Sequence, residues 1–147
     1  MRKIVLSVLT GLLLSGALAS SAVAASPHFI GTPSVTVGSD SLVVNFKAAG
    51  LGNSSTVDFA LNGSVDVSSR CYTKSGNKPQ AANKQETINV DTTTTSNVGK
   101  NGRATASLTI EPLSTLSCPP GQRVVIESVS YDITLSYQGD ALATFTS

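Results

Sequence analysis

The 147-residue sequence has no tryptophan, one histidine, one methionine and two cysteines. Each shortage narrows the field. A true immunoglobulin domain packs its central disulfide against a buried tryptophan, and this chain has none. The lone His28 offers no second imidazole for a zinc site, and the two cysteines are better used on each other. Composition leaves a Ser-His-Asp triad open, but no G-x-S-x-G elbow is present and no calcium-loop pattern occurs. His28 therefore reads as an ordinary surface residue near a chain end.

Charge is also scarce. Ten Lys plus Arg face nine Asp plus Glu. Loss of Arg2 and Lys3 with a leader peptide leaves eight cations and nine acids. Nothing in that balance calls for nucleic acid or for a charged membrane surface. No helical period of useful length appears beyond the first 25 residues, so helical architectures are set aside.

What is present begins with a leader. Arg2 and Lys3 precede an apolar run over 4–19 and then Ala22-Val23-Ala24-Ala25, the order of a secretory signal peptide. The run is interrupted by Ser7, Thr10, Ser15 and Gly16 and is short for a membrane span. Cleavage after Ala24 and after Ala25 fit equally well. The expected organisation is a signal peptide over 1–24 and a single domain over 25–147, about 122 residues when mature, enough for one core. No twin arginine and no leader cysteine are present, and no apolar tail follows Phe145. The expectation is a secreted, extracellular protein without a stable membrane anchor.

The chain is organised around residues 55–72, STVDFALNGSVDVSSRCY. Val57, Phe59, Leu61, Gly63, Val65, Val67, Ser69 and Cys71 alternate with Asp58, Ala60, Asn62, Ser64, Asp66, Ser68 and Arg70. One face is apolar and the other wet, the signature of a half-buried strand. Asn62-Gly63 often makes a two-residue hairpin. Here that hairpin would set Phe59 against Asp66 and Val57 against Ser68, mixing the two faces. A continuous strand, bent or bulged at Gly63, keeps the faces apart and is favoured; a three-residue turn over 62–64 would also keep them apart.

Similar alternation predicts short strands around Val35 and Val37, Leu42 to Phe46, Ile88 to Thr95, and Ala104 to Ile110. Another follows over 125–137, where Glu127 breaks the parity and suggests a bulge. A last strand has Ala141, Ala143 and Phe145 on one side. Unpatterned, turn-rich loops are expected over 73–85 and 112–121. The fold class is all-β: an antiparallel two-sheet immunoglobulin-like sandwich of seven or eight strands with one disulfide. Export makes a Cys71–Cys118 bond the expectation, joining a strand end to the Pro-rich loop Ser117-Cys118-Pro119-Pro120-Gly121.

For function the residues offer little chemistry. Asp58 and Asp66 lie eight residues apart on the wet face, too far at about 3.3 Å per residue to share one ion. No metal site, cofactor or catalytic residue is indicated. The candidate binding loop is the stretch after Arg70, where Arg70, Tyr72, Lys74, Lys78 and Lys84 occur without an acid among residues 70–84. It would suit an anionic cell-wall polymer or glycan; a solvated loop carrying Lys for solubility is the plainer reading. Phe46, Phe59, Tyr131, Tyr137 and Phe145 share the expected core parity, and Tyr72, just after Cys71, is the exception on the wet parity. The expectation is a secreted, non-enzymatic structural or adhesive module. The alternative is an extracellular binding domain for anionic wall polymer or glycan acting through disulfide-pinned loops. A small hydrolase or protease inhibitor ranks third.

Three local motifs add a resemblance. They are Phe46-Lys47-Ala48-Ala49-Gly50-Leu51-Gly52, the 71–84 loop with Asn77, Pro79, Gln80 and Asn83, and Cys118-Pro119-Pro120-Gly121-Gln122. Together with the leader, they resemble a group of small secreted bacterial proteins of uncharacterised function, mainly from high-GC Gram-positive organisms. The resemblance covers nearly all of the mature chain. It implies a small extracellular β-sandwich with one disulfide and carries no catalytic residue.

Overall fold

The structure is a computed structural model that describes residues 26–77 and 83–147. The expected signal peptide over 1–24 lies outside the described residues, as does Lys78. The chain forms β1 (His28–Phe29), β2 (Ser34–Val37), β3 (Leu42–Ala49), β4 (Thr56–Thr73), β5 (Asn83–Asn97), β6 (Ala104–Ile110), β7 (Gln122–Tyr137) and β8 (Asp140–Thr146). All pairings between these strands are antiparallel.

The expected continuous strand is β4, and it runs through Asn62-Gly63 without turning. Val57, Phe59, Leu61, Val65, Val67 and Cys71 are buried, while Asp58, Asn62 and Asp66 are exposed. Gly63 sits opposite Val90 on one side and Ile133 on the other. Its φ is 143°, and a Cβ there would lie 2.1 Å from the Asp132 carbonyl oxygen. Glycine is therefore required for the close approach of β7 to β4, not for a hairpin.

Two sheets follow from this strand and from β3. In the larger the order is β5-β4-β7-β8. In the smaller, β6 pairs with β3 from Leu42 to Ala48 and so fills one edge. β2 and β1 share the other edge, β2 against Leu42–Asn45 and β1 against Ala48 and Ala49. The inner faces meet in one core containing Leu42, Val44, Phe46, Phe59, Leu61, Leu108, Leu113, Ile133 and Leu135. Phe59 is fully buried, with its ring edge-on to Phe46 at 4.8 Å and tilted against Tyr137 at 5.8 Å. The Tyr137 hydroxyl donates to the Leu51 carbonyl at 3.1 Å, so the aromatic stack ends in a satisfied polar group. This two-layer arrangement is compatible with an immunoglobulin-like sandwich.

The structure departs from the alternation in four places. β7 does bulge against Ser68 and Ser69 of β4, with Glu127 as the extra residue. Before the bulge the faces invert: Val125 lies opposite Arg70 on the wet side, and Ile126 lies opposite Ser69 on the core side. A second bulge between Leu135 and Ser136 turns Ala141 outward and leaves Leu142 packed against the core. β1 is an additional short strand, because His28 and Phe29 complete the edge that β2 leaves uncovered. β5 starts at Asn83, so the first long loop is shorter than its composition suggested; Asn83, Lys84 and Gln85 pair by backbone with Arg70, Ser69 and Ser68. Replacing Phe59 by Ala is expected to lower unfolding free energy by about 3–5 kcal/mol, read from urea denaturation, because a fully enclosed ring leaves a cavity between the sheets.

Candidate functional site

The expected disulfide is present. Cys71, buried at the end of β4, is joined to Cys118 with Cα atoms 5.6 Å apart, within the span such a bond needs. It draws the connection between β6 and β7 across the end of β4. Three further contacts hold the same segment. Leu113 is wholly buried, and its N–H reaches Asp40 Oδ1 at 3.0 Å. The buried Ser69 hydroxyl meets the Ser114 hydroxyl at 2.7 Å. Glu86 accepts from the Ser114 hydroxyl and the Thr115 N–H, both at 2.9 Å, and also from the Thr115 hydroxyl. Segment 113–118 is thus tied to both sheets.

Glu86 is the electrostatic centre of this clasp. Its carboxyl is held well below the ordinary value of 4.5, at about 2, first by the Thr115 hydroxyl and then by Lys84. Lys84 Nζ lies 2.9 Å from Glu86 and also donates to the Thr115 hydroxyl. The cation expected to face a ligand is therefore turned toward the segment that closes the sandwich end.

Among the described residues, the other candidate cations, Arg70 and Lys74, do not join it. Arg70 lies on the opposite, wet face, where its Nε is 3.3 Å from Glu127. The Tyr72 hydroxyl donates to the same carboxylate at 2.8 Å. Lys74 is exposed in a tight turn, where the Thr73 hydroxyl accepts from the Asn77 N–H at 3.1 Å. Arg70 and Tyr72 are thus brought together around an acid, while Lys84 is separated from them by the thickness of the sheet.

Both acids lie outside the basic stretch of residues 70–84. Glu86 follows Lys84 by two residues and therefore shares its face, a signal open to period-two reasoning. Glu127 was visible only as a break in parity; its meeting with Arg70 depends on strands 57 residues apart in sequence.

Beyond the clasp, the wet face of the large sheet is built from Ser, Thr, Asn and Asp. Cross-strand hydroxyls bind its carboxylates, Thr87 to Asp66 and Thr95 to Asp58. A shallow polar depression of about 350 Å³ lies there between Asp66, Ser68, Thr87, Ser128 and Ser130. His28 Nδ1 donates to the Ser26 carbonyl at 2.9 Å. Among the described residues no group of three or more His, Cys, Asp or Glu is placed to hold a metal ion, and no helix is long and apolar enough to cross a membrane. Compared with known proteins, the chain matches no family model and no curated protein.

Two outcomes follow. Reducing the Cys71–Cys118 bond, which closes a separation of 47 residues, is expected to lower stability by roughly 4 kcal/mol on chain-entropy grounds, read by denaturant titration with alkylation. The depressed Glu86 pKa stabilises the fold above about pH 4.5, and that contribution drains away as pH falls toward 2. The protection of the Thr115 amide, its exchange relative to an unstructured chain at the same pH, should fall over that window. In Glu86→Gln that protection should be low already at neutral pH and change little on the same acidification.

Proposed function

We propose that this chain is a secreted, non-enzymatic structural or adhesive module of immunoglobulin-like architecture, released from a signal peptide and working outside the cell. The observation that carries the reading is the fastening of segment 113–118. A disulfide, a buried leucine, a serine pair and the Glu86 clasp hold one loop to two sheets. A loop held this firmly presents a fixed surface, which lowers the ordering cost of contact with a partner. The disulfide suits an oxidising compartment. The hydroxyl- and amide-rich face offers many hydrogen bonds, a surface suited to a polar polymer.

Binding of an anionic wall polymer or glycan through the pinned end is the second reading. It is favoured by Tyr72 standing beside Arg70, with exposed Lys74 in the adjoining turn. Retention of the oxidised mature protein on cell-envelope fractions and glycan arrays, with a broad hydrolase panel in parallel, tests both. The module reading expects retention without substrate turnover; reproducible turnover would overturn it. If the basic residues carry binding, replacing Lys74 and Lys78 together by Gln, with Lys84 left in its clasp, should weaken retention, and added salt should do the same. Unchanged retention in that variant assigns contact to the polar face.

A further inference from the structure

Both sheets are open on the same flank. β8 pairs with β7 only from Asp132 to Tyr137, and Ser147 extends that cover as far as Tyr131. Among the described residues, no strand pairs with the outer edge of β7 from Arg123 to Ser130, and β2 has β3 as its one strand partner. A groove of about 480 Å³ runs between these two edges, lined by Val37, Gly38, Ser39 and residues 123–129. Val37 is 44% exposed and Val124 38%. Ile126 and Val129 lie half-buried at the margin of the core. Bare strand edges beside exposed aliphatic side chains are a template for further pairing. The outer edge of β5 differs: it carries no large exposed apolar residue, and Lys84 and Glu86 point inward from it.

We propose that this flank binds a second copy of the chain, related by a two-fold axis, so that β7 pairs with β7 and β2 approaches β2. Two observations select that occupant. First, the flank offers two edges, one on each sheet, about 10 Å apart as in any stacked pair of sheets. One extended peptide covers a single edge, whereas a second sandwich turned about a two-fold axis presents both at the same spacing.

Second, the β7 edge is self-complementary. In an antiparallel, two-fold ladder, opposed residues share a face, so the axis must pass through a residue. Centred on Val125, the ladder sets Arg123 against Glu127 of the other copy, twice, and Val124 against Ile126. Opposite charges then meet on the wet side and aliphatic groups on the core side. Centring on Val124 sets Arg123 against valine, and centring on Ile126 does the same to Glu127. The Glu127 carboxylate already draws in Arg70 and Tyr72, so Arg123 of the second copy would join an existing polar cluster. The bulge limits regular pairing to Arg123–Glu127, since Glu127 and Ser128 both face the wet side. The β7 ladder is therefore short, and the aliphatic contact around Val37 and Val124 is needed beside it.

Sedimentation equilibrium of the oxidised mature protein, with hydrogen exchange at matched concentrations, tests this. The expected result is a reversible doubling of mass as concentration rises, with slower exchange in residues 123–130 and unchanged exchange along β5. Val37→Lys and Val124→Lys alter exposed positions, so folding should persist by circular dichroism while the dimer is lost. Arg123→Glu should raise the dissociation constant by about tenfold at low salt, and Arg123→Lys should largely retain binding. A protein that stays monomeric up to its solubility limit overturns the proposal. So does a dimer indifferent to both lysine variants, or protection that arises on β5 or β8. A monomer protected over 123–130 only when an apolar extended peptide is added would assign the flank to a foreign strand and overturn it equally.

Discussion

A strand of 18 residues with ladders on both edges cannot slip by one residue without turning every side chain over. β4 is that strand, and its register constrains most of the molecule. Phe59 and Leu61 meet the small sheet because Asp58, Asn62 and Asp66 must stay in water. Gly63 lets β7 lie close, which fixes where Ile133 and Leu135 enter the core. Cys71 reaches the end of the barrier between the sheets in the orientation that its bond to Cys118 needs.

At that end, the polar groups are arranged to fasten the fold. Buried Ser69 would be costly alone, and its hydroxyl finds Ser114. Glu86 gathers the Thr115 hydroxyl, the Thr115 amide and Lys84 around one carboxylate. On the other face, Glu127 plays a similar part for Arg70 and Tyr72. Arg70 therefore meets an acid from a neighbouring strand and Lys84 one from its own, and the two meeting points lie on opposite sides of the sheet.

The fold was legible where one periodicity governed one element. The faces of β4, the alternation of Leu42 to Phe46, and the Ala104 to Ile110 set all read correctly, because burying one side of a pleated strand leaves a period of two in the residues. The bulge at Glu127 was also visible as broken parity. Its consequence, the exchange of faces between Val125 and Ile126, depends on which residue the partner strand skips. β1 escaped notice because two residues hold no period, and the start of β5 because backbone pairing places no demand on the polarity of Asn83 or Gln85. The surroundings of Lys84 and Arg70 were the least accessible, since the partners Thr115 and Glu127 are brought to them by strand order rather than by neighbouring sequence.

The order of the large sheet also sets a timetable. β4 takes β5 as one neighbour, the next strand along the chain, but its other neighbour is β7, whose pairing with Phe59 is complete only at Tyr137. Until nearly the whole chain is available, one edge of the longest strand stays bare and Cys71 has no Cys118 to meet. Loop-closure entropy must be met before those distant ladders return anything, so closure of the sandwich waits for β7 even though the β4–β5 ladder needs nothing that follows it.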